Sequence, residues 1–239
     1  MIPVTLLLQR IDDKLNKNSN LVGQFIPDET KILSLNEAQI KLILSKVGPN
    51  NIYKAGLDSF KKRYQDLQKL IVDYTKLSVV ANNDVFNSYS SQLSSLPSKF
   101  FLPVDSYVLA DRDNCKDRKL NVAEIVKHGD LQTKFKSPHY KPSFEYEEIL
   151  ATIDGDVFFT YSDKTFTINS LYLSYLRYPA YIDITGYTHL DGTPSVTTNC
   201  ELEAYLESEL VNLVVEELSM NTGNREVTQN TEKNRQTIE

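Results

Sequence analysis

An α+β fold is what this 239-residue sequence predicts, and three observations carry the prediction. Apolar residues recur every three to four positions at the two ends of the chain, as amphipathic helices require. The middle is instead rich in β-branched and aromatic residues, punctuated by proline, asparagine and aspartate, as strands and turns require. With 41% apolar and 24% charged residues, the chain has the composition of a globular protein able to bury a core. The expected architecture is one α+β domain over residues 1–220. In it the helices of 1–76 and 200–220 form a bundle, the antiparallel strands of 77–198 are inserted, and an extended polar tail follows at 221–239.

The elements follow in order. Val4, Leu7, Leu8, Ile11 and Leu15 make one apolar stripe, which the asparagine-rich stretch Asn16 to Asn20 ends. Ser34-Leu35-Asn36-Glu37 has the S-x-x-E form of a capping box, predicting a second helix from there to about Val47. Gly48-Pro49 stops it, glycine fitting a left-handed cap and proline lacking the amide to continue. Leu57, Phe60, Tyr64, Leu67, Ile71 and Tyr74 give the strongest helical period in the chain and predict a third helix over 57–75.

Strand character begins at Leu77. Asp156 to Tyr161, a polar turn at Ser162-Asp163-Lys164, and Thr165 to Ile168 read as a hairpin. Leu171 to Tyr178, closed by Pro179, reads as the next strand. Its two faces both carry large apolar or aromatic residues, so the sheet should be covered on both sides, by its own helices or by another subunit. Phe100 to Leu109 and Leu120 to Lys127 are further strand segments, and 130–142 reads as a loop with one helical turn. Thr198-Asn199-Cys200-Glu201 is a second capping box and opens a last helix over 200–220. Beyond Met220 the large apolar residues are Val227 and Ile238, too few for the segment to order by itself.

Lysine plus arginine number 26 against 32 aspartates and glutamates, a net charge of −6, the wrong sign for a protein whose main affinity is for phosphates. Nine glutamates and three cations lie in 200–239, so the acidity belongs to the last helix and the tail. That helix reads either as a solvated face or as a surface that repels DNA phosphates in a passage. Cys115 and Cys200 are too far apart in sequence for a C-x-x-C pair, which suits a reducing cytosolic origin. The N-terminus lacks a basic leader, and no apolar run reaches membrane-spanning length.

No phosphate-binding glycine loop, nucleophile elbow or zinc-binding motif occurs. His128 and His189 lie near Asp130 and Asp191, which could orient a base or contribute to a metal site, while His139 has no such neighbour. Ordinary loop placement explains all three. Asp154-Gly155-Asp156 lacks the further carboxylates of a calcium loop and reads as the turn before a strand. Cys115 has basic neighbours but no partner base. Tyr172, Tyr175, Tyr178, Tyr181 and Tyr187 crowd one region with Arg177 as their one cation, which favours sheet packing or a subunit interface over a nucleic-acid platform. No catalytic, cofactor-binding or metal-binding residue is therefore nominated, and no cofactor is expected.

The segment from Leu171 to Ile182, followed by Asn199-Cys200-Glu201-Leu202 and the helix Leu210 to Leu218, resembles the ending of head-to-tail connector or ring proteins of tailed bacteriophages. The likeness is greatest to those of crAss-like podoviruses. It covers 165–220, and the order of helices, strands, helix and tail agrees over the rest. The resemblance implies a structural virion protein in a ring below the portal, dodecameric to match it, assembled in the bacterial cytoplasm. Its partners would be further copies of itself, the portal protein and other tail or ring proteins, with genomic DNA met only in passage and no membrane. It also implies that the tail is a docking arm, with Val227 and Ile238 as apolar anchors and Arg225, Lys233 and Arg235 as carboxylate partners. Two other readings stand beside it: a small cytosolic enzyme with a loop His/Asp site, and a nucleic-acid-binding module.

Overall fold

The structure is a computed structural model that describes residues 1–18, 26–48, 61–82, 84, 86–189 and 192–221. It is mixed α+β and divides into two compact units, Met1–Leu70 with Pro179–Glu239, and Ile71–Tyr178. The first is helical; the second holds the sheet.

In the helical unit, α1 (Val4–Asn18) buries Val4, Leu7, Leu8 and Ile11. Two backbone hydrogen bonds between Ile2 and Cys200, of 2.8 and 3.0 Å, fix its entry. The first amide of α1, on Val4, donates to Asn199 Oδ1 at 3.1 Å. Helix α2 runs from Asp28 to Val47, so it begins six residues before the expected capping box. Pro27 presets the entry and Asp28 and Glu29 complement the helix dipole. Ser34 lies buried inside the helix, and its neighbour Asn36 instead bridges to the backbone of Ile182, donating to its carbonyl at 2.9 Å and accepting from its amide at 2.8 Å. Gly48 does end α2, with its amide on the Leu44 carbonyl, but in an extended conformation (φ −80°) rather than the left-handed one.

The predicted third helix is corrected. Residues 57–60 lie outside the described residues, Lys61–Leu67 form α3, and a 3₁₀ turn at Gln68–Leu70 leads into strand β1, Ile71–Ser78. Ile71, Val72 and Thr75 are β-branched, and Leu77 faces inward between outward Lys76 and Ser78, so period two prevails once a partner strand is available.

Helix α5 (Glu207–Asn221) follows a 3₁₀ turn at Ala204–Leu206, starting later than its predicted box. Glu201 accepts a hydrogen bond from the Ala180 amide instead of capping a helix. Leu210, Val211, Val214, Val215 and Leu218 of α5 are buried, and α5 packs against both α1 and α2. Within α2, Gln39 is fully buried and neither polar atom of its side chain has a hydrogen-bond partner among the described residues. Such a group costs about 1–3 kcal/mol. Gln39→Met should therefore raise stability by about 1 kcal/mol, read as a higher urea midpoint at an unchanged slope, whereas a lower midpoint would mean that Gln39 has a partner in solution.

The second unit is an eight-stranded sheet in the order β1-β8-β4-β5-β6-β7-β3-β2. Its remaining strands are β2 (Val80–Ala81), β3 (Ser88–Gln92), β4 (Phe100–Arg112), β5 (Cys115–Ile125), β6 (Glu148–Asp154), β7 (Val157–Tyr161) and β8 (Thr167–Arg177). β1 and β2 stand at opposite ends of this order yet are separated in the chain by Val79 alone, so the sheet curls until its two ends meet. Inside the curl lie Val108, Leu120, Phe158, Leu171, Leu173 and Tyr175, all essentially without solvent exposure.

The sheet is larger than expected, and its pairing differs in two respects. All pairs are antiparallel except β5 with β6, which is parallel. The connection between those two contains α4 (His128–Lys136), a full helix where a loop with one turn was expected. The predicted hairpin of 156–161 with 165–168 does not form. β7 pairs with β3 and β6, around a tight turn in which Gly155 has φ +55°. Thr167–Arg177 is one strand, β8, between β1 and β4. Strands therefore occupy 71–177 rather than 77–198, and the described residues of 178–203 are irregular, with isolated bridges at Asp183–Thr198 and Thr188–Pro194.

Candidate assembly interface

The loop that follows β8 is organised by one carboxylate. Asp183, almost fully buried, accepts from the Ile184 amide (2.9 Å) and the Tyr187 hydroxyl (2.5 Å) on Oδ1. On Oδ2 it accepts from the Val196 amide (3.2 Å) and meets His189 Nε2 at 3.1 Å. Burial alone would raise the Asp183 carboxyl, but the four hydrogen bonds outweigh it and hold the group below the usual carboxylate range. The Tyr187 phenol is pushed up by burial and by its bond to Asp183. Ser195 Oγ accepts from the Gly186 and Tyr187 amides, at 3.1 Å each, and tightens the same turn.

This places the histidines. His189 does meet a carboxylate, but it is Asp183 and not Asp191, which lies outside the described residues. With four donors on Asp183 the pair holds a loop together. His128 opens α4, and its Nε2 stands 4.0 Å from Asp154, both side chains exposed, at a cleft of about 450 Å³ lined also by Asp84, Phe159 and Tyr161. At that distance the carboxylate does not orient the ring. Asp84 spends its oxygens on the amide and hydroxyl of Ser88. His139 is exposed beyond α4, and Asp130 sits in the first turn of α4. Cys115 is exposed at the start of β5, while Cys200 is buried, and burial raises its thiol. Among the described residues no group of three or more histidine, cysteine or acidic side chains is placed to hold a metal.

The five tyrosines do not form one platform. Tyr175 is in the core of the curled sheet with its hydroxyl on the Ser98 carbonyl (3.2 Å). Tyr178 packs on Phe101, with ring centroids 4.5 Å apart, and carries Lys99 over its ring. Tyr181 and Tyr187 belong to the Asp183 loop, Tyr181 half exposed, both edge-on to His189. Of the five, Tyr172 joins an outward aromatic surface, and its partners are Tyr107, which no sequence signal marks, and Tyr74, which the sequence assigns to a helical stripe. They come from strands 65 and 98 residues upstream of it, Tyr107 directly opposite Tyr172 across the β4–β8 pair. Tyr107 and Tyr172 stack 4.8 Å apart and 6° from parallel, and Tyr74 stands 5.2 Å from Tyr107. Lys119 of β5 lies 4.1 Å over the Tyr107 ring, and exposed Lys76 of β1 lies opposite Tyr172. The face thus crosses four strands, β1, β8, β4 and β5, with a cation at each side. A nucleic-acid base would have to displace contacts that Tyr107 already makes.

The acidity of the last helix is likewise settled by its surroundings. Glu207 pairs with Arg10 (2.6 Å), Glu209 with Lys46 (2.8 Å) and Glu217 with Lys41 (2.7 Å). These glutamates are neither a solvated face nor a phosphate-repelling wall: cations from α1 and α2 neutralise them. The sequence shows both sets of charges but not their pairing, because 197 residues separate Arg10 from Glu207.

Comparison with known families identifies the kind of protein to which this arrangement belongs. The family model described as phage tail ring protein 3/4, named for crAss-like phages, matches residues 11–231. The chain belongs to this family. It is accordingly a structural component of a phage tail, found in the virion, and a ring protein that assembles with copies of itself and other tail proteins. A search of curated proteins finds no match. The ring family's match takes in both compact units, so the helical unit and the sheet unit are parts of one ring protein. Among the described residues no helix is long and apolar enough to cross a membrane.

Proposed function

We propose that this ring protein sits in the head-to-tail connector, links the portal to the tail, and encloses part of the channel through which the genome passes. The observation that carries the reading is the family match over residues 11–231. Its partners are then further copies of itself, the portal protein and other tail or ring proteins. DNA is met only in passage, in keeping with a net charge of −6. A closed ring needs heterologous contacts, in which one patch of a copy meets a different patch of the next. The portal sets the number of copies, giving a dodecamer, and assembly takes place in the host cytoplasm. No catalytic step and no cofactor enter this function. Imaging of particles with the chain tagged at its N-terminus tests the reading: density for the tag should form a circle between portal and tail. A tag found elsewhere in the particle would refute it.

The segment after α5 is the docking arm of this proposal. Arg225, Val227, Lys233, Arg235 and Ile238 lie outside the described residues, and the argument for them is chemical. The segment is too polar to pack on its own, but Val227 and Ile238 can anchor it on a neighbour while the three cations meet carboxylates. Repetition around a ring multiplies a moderate affinity. Deleting every residue after Met220 should leave the melting temperature unchanged and abolish entry into the connector. Normal incorporation of the truncated chain would remove the arm from the function.

A further inference from the structure

The chain builds its two compact units in different ways. The sheet unit, Ile71–Tyr178, is one unbroken segment, whereas the helical unit is assembled from Met1–Leu70 and Pro179–Glu239, which lie on either side of it in the sequence. The core of the sheet unit is self-contained. Its main cluster runs from Leu77 and Tyr89 through Val108, Leu120 and Phe158 to Leu173, and a second one gathers around Leu131 of α4, every member of both lying within 71–178. In the helical unit the buried face of α5, with Leu210, Val211, Val214 and Val215, packs instead on α1 and α2, from the other side of the insertion. The bonds that tie its halves, Ile2 to Cys200, Asn36 to Ile182 and Lys46 to Glu209, join residues at least 146 positions apart.

The two ends of the inserted segment are neighbours. Ile71 of β1 stands opposite Leu176 of β8 in an antiparallel pair, a Cα spacing of about 5 Å. Tyr178 is fastened to the sheet unit by its amide on the Lys99 carbonyl (3.0 Å) and by its ring on Phe101. Pro179 then lacks the amide that would extend the ladder. With the sheet unit folded, the halves of the helical unit are therefore joined as if by a few residues. With it unfolded, they are joined by a free loop of 108 residues, 71 to 178. Loop-closure entropy grows as (3/2)R ln n, so closing that loop is on the order of 200-fold less favourable than closing one of three residues. The sheet unit meets no such condition, because its segment is continuous whether or not the helices are folded.

We infer that the sheet unit is a folding clasp: it forms and persists by itself, and its folded state holds the two halves of the helical unit close enough to pack. By reciprocity the folded helical unit steadies the sheet by the same factor and no more. Hydrogen exchange of two full-length double variants, resolved by mass spectrometry, tests this. Leu210→Asp with Val214→Asp buries two unpaired charges in the helical unit and breaks it, and the amides of β4 to β8 should stay protected to within about 200-fold of their native values. Loss of the sheet in this variant overturns the clasp, since the protein would then fold as one cooperative whole. Leu171→Asp with Leu173→Asp breaks the sheet unit, and the amides of α1, α2 and α5 should lose protection by on the order of 200-fold. Helical protection within tenfold of native in that variant overturns the clasp from the other side, because the helices would not need it. The unsubstituted chain gives an independent measurement should a variant aggregate. On refolding from urea with pulsed exchange, the amides of β1 to β8 should be protected before those of α1, α2 and α5. Helical protection that arrives first, or together with the sheet, overturns the proposal.

Discussion

Lys46→Met is expected to destabilise the helical unit by about 3–5 kcal/mol, the size associated with removing one partner of a buried ion pair. Lys46 reaches from the last turn of α2 to Glu209 on α5, its Nζ 2.8 and 2.9 Å from the two carboxylate oxygens. The two side chains are only 12% and 6% exposed. Asp66 of α3, buried and accepting from the Tyr205 hydroxyl at 2.6 Å, lies 4.0 Å from the same nitrogen. Methionine keeps most of the lysine stem, so packing is largely retained while two buried carboxylates lose their cation. Urea unfolding followed by helical circular dichroism measures the loss. The double variant Lys46→Met, Glu209→Met should recover a large part of it, since the uncompensated charge is then gone and the pair is close enough to couple. A loss below about 1 kcal/mol for the single variant would show that the pair does not hold α2 to α5.

Asp183→Ala is expected to cost about 3 kcal/mol and to open the loop 183–198. Removing the carboxylate strands two backbone amides and a half-buried phenol, and a donor left unsatisfied away from water costs up to about 1–3 kcal/mol. Relaxation of the loop into water recovers part of that. Hydrogen exchange localises the effect: the amides of Ile184 and Val196 should lose protection while those of β4 and β8 keep theirs. Loss spread evenly over the chain would mean that Asp183 supports the whole fold. The same group sets an acid limit. Its folded pKa is depressed, so its stabilisation is complete above the unfolded carboxylate value near 3.9 and disappears as pH falls through the lower folded value. Unfolding measured from pH 6 to pH 2 should show this loss below about pH 4 in the unsubstituted protein and a smaller loss in Asp183→Ala.

These two expectations concern what holds the scaffold, and the outer surface of the sheet concerns what the scaffold presents. In the helical unit, acidic α5 is tied to α1 and α2 by Arg10, Lys41 and Lys46. In the sheet unit, the core lies inside the curl, which frees the outer surface of β1, β8, β4 and β5 to carry tyrosines.

The division between what could be read from residues and what could not runs along sequence distance. Helix α1, the existence of α2 and α5, the turn at Gly155 and the strand-rich middle are written locally, because each depends on which side chains a single element can bury or on one backbone conformation. The family resemblance, carried by Leu171 to Leu218, was legible for the same reason. The capping boxes were legible but misleading: Ser34 and Glu201 have the right spacing, yet Asp28–Glu29 start α2 earlier and the Ala180 amide claims Glu201. The fate of Ile71 to Ser78 depended on Leu171 to Leu176, to which β1 pairs across a hundred residues. A helical period at Ile71 and Tyr74 states what that segment could bury by itself, while strand pairing is decided by which edge another segment offers. The tyrosine face belongs to the same class. Tyr74, Tyr107 and Tyr172 carry no shared spacing, and only the register of β1, β8 and β4 makes them neighbours.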